Sequence, residues 1–349
     1  MKKQIDINQL ESLRKELGFS DRGIFEKTVY AFNLLDELLG VYSKLVFKGG
    51  TSILLHIFPP ARLSIDIDIL LPLEERAGLK GALVKMISTS QWFNIVKENI
   101  RGSKIPKAHY KFQFTSHFSK EQQYILLDVV FTKYPYKKLV EKNISKFPLV
   151  FFNSNAVVSI PTPEGLLGDK MTAISPKTIG IPLNEKRSME CVKQIIDLNE
   201  LFNIASDIND MKQSFLNTVQ QENDFRGTAY SMDEVLNDVI DIAFKYSQAL
   251  LKGADNSFSE IALIDDGLAK VTNHLGKKVN KQDIKIAYAK IVYMASMFKN
   301  KENPRLIKNI DLSLTQGMTF PKEYKILERL QAVIPEAYFY WALAIGAKN

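Results

Sequence analysis

The chain has 349 residues, a net charge of +7, a single cysteine and 46% apolar residues. That length supports two domains, each with its own core, and a lone Cys191 excludes an intramolecular disulfide and a thiolate metal cluster. No apolar run reaches the roughly eighteen residues that span a bilayer. The start, MKKQIDINQLESLRKELGF, has no long apolar core behind its lysines, so a cytoplasmic protein without a secretory signal is expected. The modest positive charge admits an anionic partner such as RNA without requiring one.

Ile5 to Leu17 and Arg22 to Leu39 carry apolar residues at helical spacing. The second has the broader stripe, through Phe25, Val29, Phe32, Leu35 and Leu38. Leu45 to Phe47 reads as a short strand. Lys48-Gly49-Gly50-Thr51 follows, and then an apolar run that reads as a helix until Pro59-Pro60 breaks it. Two glycines let backbone approach a ligand closely, and a helix N-terminus attracts anions. Leu63 to Leu70 then alternates: Leu63, Ile65, Ile67 and Ile69 share one face of a strand, and Ser64, Asp66 and Asp68 share the other. Carboxylates two residues apart on a strand lie about 7 Å from each other and repel in a weakly screened site. A divalent cation, Mg²⁺ or Mn²⁺, is the usual compensation, since hard cations bind through one or two carboxylates plus substrate phosphates. Alone, D-x-D is commonly a solvated strand face and Gly-Gly a turn. Joined on one strand–turn–helix–strand unit, they point to phosphoryl or nucleotidyl transfer.

The run Lys48-Gly49-Gly50-Thr51, followed by Arg62-x-Ser64-x-Asp66-x-Asp68, resembles the AbiEii/AbiGii toxin family of nucleotidyltransferases, which includes the MenT toxins and belongs to the DNA polymerase β-like superfamily. The resemblance covers roughly the first 205 residues. It implies a helix-packed mixed sheet bearing a Gly-Gly-Thr turn and then the paired aspartates.

Leu73 to Ser88 reads as an amphipathic helix, and Trp92 to Glu98, His109 to His117 and Gln123 to Phe131 read as strands. In the third, Asp128 interrupts the apolar run Ile125 to Phe131, which suits a strand buried on both faces. A lone carboxylate there costs several kcal/mol unless it has a partner. The resemblance implies a third metal-site carboxylate on a neighbouring strand, and Asp128 fits; the other reading is a strand-end Asp bonded to a loop. Leu149 to Ile160 reads as a further strand pair or extended connection. Thr162, Pro163 and Glu164 are good cap, first-turn and dipole residues for a helix running to Ala173.

On that helix Lys170 matches the family's lysine, which implies contact with triphosphate oxygens and the leaving pyrophosphate. An exposed helical lysine paired with a neighbour is the commoner use of such a residue. Asn184 to Phe202 reads as the next helix, with Lys193, Asp197 and Glu200 on one face. Asp197-Leu198 matches the end of the family's Arg-Asp-x-x-Asp-Leu pattern. Lys193-Gln194 replaces its Arg-Asp, and Lys177 stands where many relatives carry arginine. Asp197 is left with three readings: a base or ribose contact, an orienting partner for Lys170, or a surface salt bridge.

From Ala205 onward only helical patterns appear, at Met211 to Val219, Met232 to Leu251, Ile261 to Leu275, Lys281 to Phe298 and Tyr324 to Ala342. Lys299, Lys301, Arg305 and Lys308 form a basic loop that serves solubility or touches a phosphate backbone. Cys191, inside a helical stretch, reads as a small buried hydrophobe. His56, His109, His117 and His274 lack ligand spacing, and His109 and His117 fall at opposite ends of one strand, so none is taken as a metal ligand.

The expected fold is α/β: a polymerase β-like nucleotidyltransferase domain with a small mixed sheet over 1–205, then an all-helical C-terminal domain over 206–349. Asp66, Asp68 and Asp128 would bind Mg²⁺ or Mn²⁺. Gly49, Gly50 and Thr51 would hold the β- and γ-phosphates of an NTP. Lys48 adds charge there or faces away, Arg62 and Ser64 sit beside the site, and Lys170 stabilises the leaving pyrophosphate. The reaction would move a nucleoside monophosphate to an acceptor hydroxyl. The resemblance further implies the toxin of a toxin–antitoxin pair in phage defence or growth arrest, with a cognate antitoxin and, in some relatives, the tRNA 3′ end as acceptor. Two rivals are nucleotidylation of a protein or small molecule, and a non-catalytic scaffold that binds a partner.

Overall fold

The computed structural model describes residues 5–99, 105–151, 154–300 and 305–348. Contacts divide them into two compact units: the described residues up to Thr162 with Asn273–Lys277, and Pro163–Thr272 with the residues from Lys278 onward.

The first unit begins with α1 (Ile7–Glu16), whose Asp6 side chain accepts from the Asn8 and Gln9 amides, and α2 (Arg22–Val41), capped by Asp21 on the Ile24 amide. The stripe read from the sequence is the buried one: Phe25, Val29, Phe32, Leu35 and Leu38 join one core with Phe47, Ile67, Ile69, Leu127 and Val129. Next come β1 (Val46–Lys48), α3 (Gly49–Ile53), β2 (Ile67–Leu71), α4 (Leu79–Thr89), β3 (Ile95–Glu98), β4 (Lys107–Thr115), β5 (Gln122–Phe131), β6 (Leu139–Asn143) and β7 (Val157–Pro161). They form a seven-stranded sheet in the order β3-β4-β5-β2-β1-β7-β6. The sheet is mixed: β2 is parallel to β5 and β1 to β7, and the remaining neighbours are antiparallel.

The β4–β5 hairpin is pinned at its turn. Ser116 Oγ accepts from the Phe118 and Ser119 amides and donates to Glu26 Oε2, a carboxylate buried on α2. That anchor holds the register of both strands, because slipping one residue would turn every inward side chain outward.

Three sequence expectations change here. The strand expected over Leu63 to Leu70 begins only at Ile67, because Leu63 bonds through its N–H to the His274 carbonyl instead of a neighbouring strand. The single helix expected over Leu73 to Ser88 is a 3₁₀ turn at Leu73–Arg76 and then α4, parted at Ala77-Gly78. Strand β6 was not anticipated, since LVEKN is polar and half-exposed at the sheet edge and shows no apolar period.

The second unit contains α5 (Pro163–Ala173), α6 (Ser188–Ile204), α7 (Ile208–Arg226), α8 (Met232–Gln248), α9 (Ser259–Val271), α10 (Lys281–Lys299), the two-residue strand β8 (Met318–Thr319), α11 (Leu330–Val333), α12 (Pro335–Ile345) and β9 (Ala347–Lys348). Helix α10 is buried nearly all round, through Ile284, Tyr288, Ile291, Val292, Ala295 and Phe298, as befits the central helix of a bundle. The continuous helix expected over Tyr324 to Ala342 is interrupted. A 3₁₀ stretch, Lys322–Arg329, leads into α11, and Pro335, which has no N–H to donate, restarts the chain as the first residue of α12. The small β8–β9 pair also departs from an all-helical pattern. The contact division falls at Thr162/Pro163, whereas composition changes near residue 205; α5 packs on α6 and α7, and all three lie in the second unit. No helix among the described residues is long and apolar enough to cross a membrane.

Candidate active site

Three register pairings lay four polar residues across the sheet of the first unit. His109 on β4 is opposite Asp128 on β5, Asp128 is level with Asp68 on β2, and Asp68 is opposite Lys48 at the end of β1. Paired residues on adjacent strands point to the same face, with backbones about 4.8 Å apart. The face is the one opposite α2, since Ile67, Ile69, Leu127 and Val129, which flank the two aspartates, are buried in the α2 core. The polar face thus carries two carboxylates from adjoining parallel strands, with Lys48 at one end of the row and His109 at the other. His109 Nδ1 lies 2.5 Å from Asp128 Oδ1.

The diglycine turn lies against this row. Gly49 has φ +78°, in the left-handed region, and a Cβ there would overlap Asp68 Oδ2. A Cβ on Gly50 would fall 2.6 Å from Arg62 Nη2 and 2.9 Å from Ser64 Oγ. The turn therefore brings bare backbone against Asp68 on one side and against Arg62 and Ser64 on the other. Arg62 is itself buried; its Nη1 donates to the Leu63 carbonyl at 3.1 Å, and its backbone bridges to Leu275. Helix α3 is only five residues long. It is too short for a developed macrodipole, so its contribution to anion binding would come from unbonded first-turn amides.

Asp68, Asp128, Gly49, Gly50, Ser64 and Lys48 are thus brought together, with Arg62. Two expectations need correction. Thr51 is fully buried, and its hydroxyl donates to the Asp66 carbonyl at 2.5 Å. That hydroxyl ties the turn to the aspartate segment and is not turned toward a ligand. Asp66 precedes the start of β2, so the strand pleat does not fix its direction as it fixes that of Asp68. Among the described residues no three His, Cys, Asp or Glu side chains form a group arranged to hold a metal ion. The structure sets Asp68 and Asp128 level on one sheet face, with Asp66 two residues earlier in the chain, just before β2. The pair alone suits a hard divalent cation: oxygen donors on one sheet face, beside backbone that no side chain obstructs.

Lys170 and Asp197 belong to the second unit. Lys170 Nζ lies 2.9 Å from Asp197 Oδ2 and donates to Gln194 Oε1 at 2.7 Å, with both charged side chains less than a tenth exposed. The surface salt bridge considered for Asp197 is therefore a buried one, and Asp197 orients Lys170. Gln194, which departs from the family's pattern, serves as the second partner of the same ammonium. Lys177 pairs with Asp241 at 2.6 Å. Cys191 is buried, and desolvation pushes its thiol up to about 11, as suits a packing residue. In the basic loop, Lys299 donates to Asn237 Oδ1 and Lys308 to the Asn203 carbonyl; Lys301 lies outside the described residues.

Sequence reasoning missed His109, judged only against the other histidines. Counting outward from the turn at Ser116–Glu121 would have set it opposite Asp128. A groove of about 580 Å³ between α2 and α4, lined by residues such as Glu37, Val41 and Met86, contains neither Asp68 nor Asp128.

The fold is that of a nucleotidyltransferase. MenT4, a nucleotidyltransferase toxin from Mycobacterium tuberculosis, matches at a TM-score of 0.50 and 11% identity, over 97% of this chain and 99% of that one. JHP933 from Helicobacter pylori matches at a TM-score of 0.43 and 14% identity, over 78% of this chain and 92% of its own. Comparison with curated proteins gives no significant match. The family model of the nucleotidyl transferase AbiEii toxin, type IV toxin–antitoxin system, matches residues 34–289. The chain belongs to this family of toxin nucleotidyltransferases, enzymes that take NTP substrates and divalent metals in general and that imply a cognate antitoxin.

Proposed function

We propose that the protein is a Mg²⁺- or Mn²⁺-dependent toxin that transfers a nucleoside monophosphate from an NTP to the 3′-terminal hydroxyl of tRNA. The observation that carries the reading is the in-register Asp68–Asp128 pair beside a glycine whose missing Cβ leaves room against Asp68. In the reaction the acceptor oxygen forms a bond to the α-phosphorus, the bond from that phosphorus to the oxygen bridging it to the β-phosphorus breaks, and pyrophosphate and the hydroxyl proton leave.

Asp68 and Asp128 would hold the cation, with Asp66 contributing from the segment just before β2. When bound, the cation supplies charge neutralisation on the triphosphate and acidifies the acceptor hydroxyl. Gly49 and Gly50 would present backbone N–H groups to the β- and γ-phosphates. Lys48, opposite Asp68, would add positive charge to the same face. The role of Lys170 toward the leaving pyrophosphate rests on the family pattern, and Asp197 and Gln194 set its direction. The net charge of +7 is compatible with an RNA acceptor.

The test is incubation of the purified chain with each α-labelled NTP and Mg²⁺ or Mn²⁺, with tRNA or with cell protein. Label is expected at the tRNA 3′ end, from one NTP in preference to the others. Asp66→Ala combined with Asp68→Ala should abolish both labelling and growth arrest on expression while the protein stays folded. Label in protein alone would overturn the tRNA acceptor. Absence of label from every NTP, with toxicity intact in the double variant, would favour a binding scaffold.

A further inference from the structure

On the reading above, in which Asp68 and Asp128 hold the divalent cation, Asp128 must keep a defined direction on a sheet face that also carries a second negative charge. His109 is built to provide it. It sits directly opposite Asp128 in the β4–β5 ladder, and its Nδ1 lies 2.5 Å from Asp128 Oδ1. The register is held by the Ser116–Glu26 anchor at the hairpin turn. A carboxylate only accepts at such a contact, so Nδ1 carries the hydrogen.

The order across the sheet decides which partner serves which. Asp128 stands between His109 and Asp68, and Gly49 lies on Asp68. The imidazole is therefore on the side of Asp128 away from the turn. Exposure agrees: the His109 side chain is 12% exposed and that of Asp128 27%. Were Asp128 the orienting group and His109 the base that meets substrate, the imidazole would be the more accessible of the two. The observed order is the reverse.

We infer that His109 is a positioning residue, whose Nδ1–H holds one oxygen of Asp128 and leaves the other to ligate the divalent cation. Partners of this kind fix the direction of a ligating group, and their loss typically weakens metal binding about 10- to 100-fold.

The test measures Mn²⁺ binding to the nucleotide-free full chain, from the electron paramagnetic resonance signal of the unbound ion. His109→Phe keeps a ring and removes the donor, and should weaken Mn²⁺ binding about 10- to 100-fold. His109→Asn places an N–H where Nδ1 stood and should recover most of that loss. In an Asp128→Ala background His109→Phe should change nothing further, because the two act through one carboxylate. If His109→Phe does not fold, His109→Leu gives the same comparison. Suppose Asp128→Ala weakens binding while His109→Phe or His109→Leu stays within twofold of the parent. The positioning role then fails and the metal reading stands. Further weakening by His109→Phe in the Asp128→Ala background would likewise overturn it. If Asp128→Ala itself leaves Mn²⁺ affinity unchanged, the metal reading fails.

Discussion

Lys170→Met separates the structural part of this lysine from its proposed part in chemistry. The substitution removes an ammonium held 2.9 Å from Asp197 Oδ2 and 2.7 Å from Gln194 Oε1, in a setting where Asp197 is only 4% exposed. Breaking a buried pair by removing one partner leaves the other charge desolvated and costs about 3–5 kcal/mol. With a urea m-value of about 3 kcal/mol per M, the midpoint for the helical unit should fall by about 1–2 M, followed by circular dichroism. Combining Lys170→Met with Asp197→Leu removes both charges, and apolar replacement of a buried pair is often near neutral. The double variant should therefore recover at least half of the lost stability without recovering activity. A single variant whose midpoint matches the parent would refute the reasoning, because it would mean that Asp197 is solvated or otherwise compensated. If the double variant also regained nucleotidyl transfer, the role assigned to Lys170 at the leaving pyrophosphate would fail.

Gly49→Ala should lower transfer at least 100-fold while leaving most secondary structure in place: the new Cβ meets Asp68 Oδ2 at a backbone φ of +78°, and left-handed strain alone costs about 1–2 kcal/mol. Parental activity in this variant would show that the turn can move away without loss. A pH effect is expected at Asp238, whose carboxyl is raised by burial against the opposing pull of hydrogen bonds from the Lys177 and Thr178 amides and the Thr178 hydroxyl. A raised folded-state pKa means that the group's stabilising contribution is full below the unfolded value of about 3.9 and is lost as pH rises through the folded value. Asp238→Asn should accordingly gain on the parent in urea midpoint between pH 4 and pH 7, and a gap that narrows instead would contradict the assignment. Cys191, with its thiol pushed up to about 11, should resist iodoacetamide at pH 7 in the native chain and react fully in urea, as read by mass spectrometry.

Much of the site was legible because its signals are local. The i, i+2 spacing of Asp66 and Asp68, the diglycine before a short helix and the apolar run around Asp128 each span only a few residues, and each follows from a backbone period or a backbone conformation. The buried stripe of α2 was readable for the same reason. Edge strand β6 was not, because a polar, half-exposed strand carries no apolar period.

What the chain alone determined, then, is which residues carry charge and which short elements present them. Only the tertiary structure decided who stands beside whom. Strand β2 lies parallel to β5, so that Asp68 and Asp128 are level; β4 folds back on β5, so that His109 reaches Asp128. Residues 274–276 hold residues 61–63, and the strand starts at Ile67, too late for its pleat to aim Asp66. The same holds for Lys170, an unremarkable helical lysine in sequence, which packing makes a buried ion pair. Pairing partner, register and burial arise from contacts between segments far apart in the chain, and no local period encodes them.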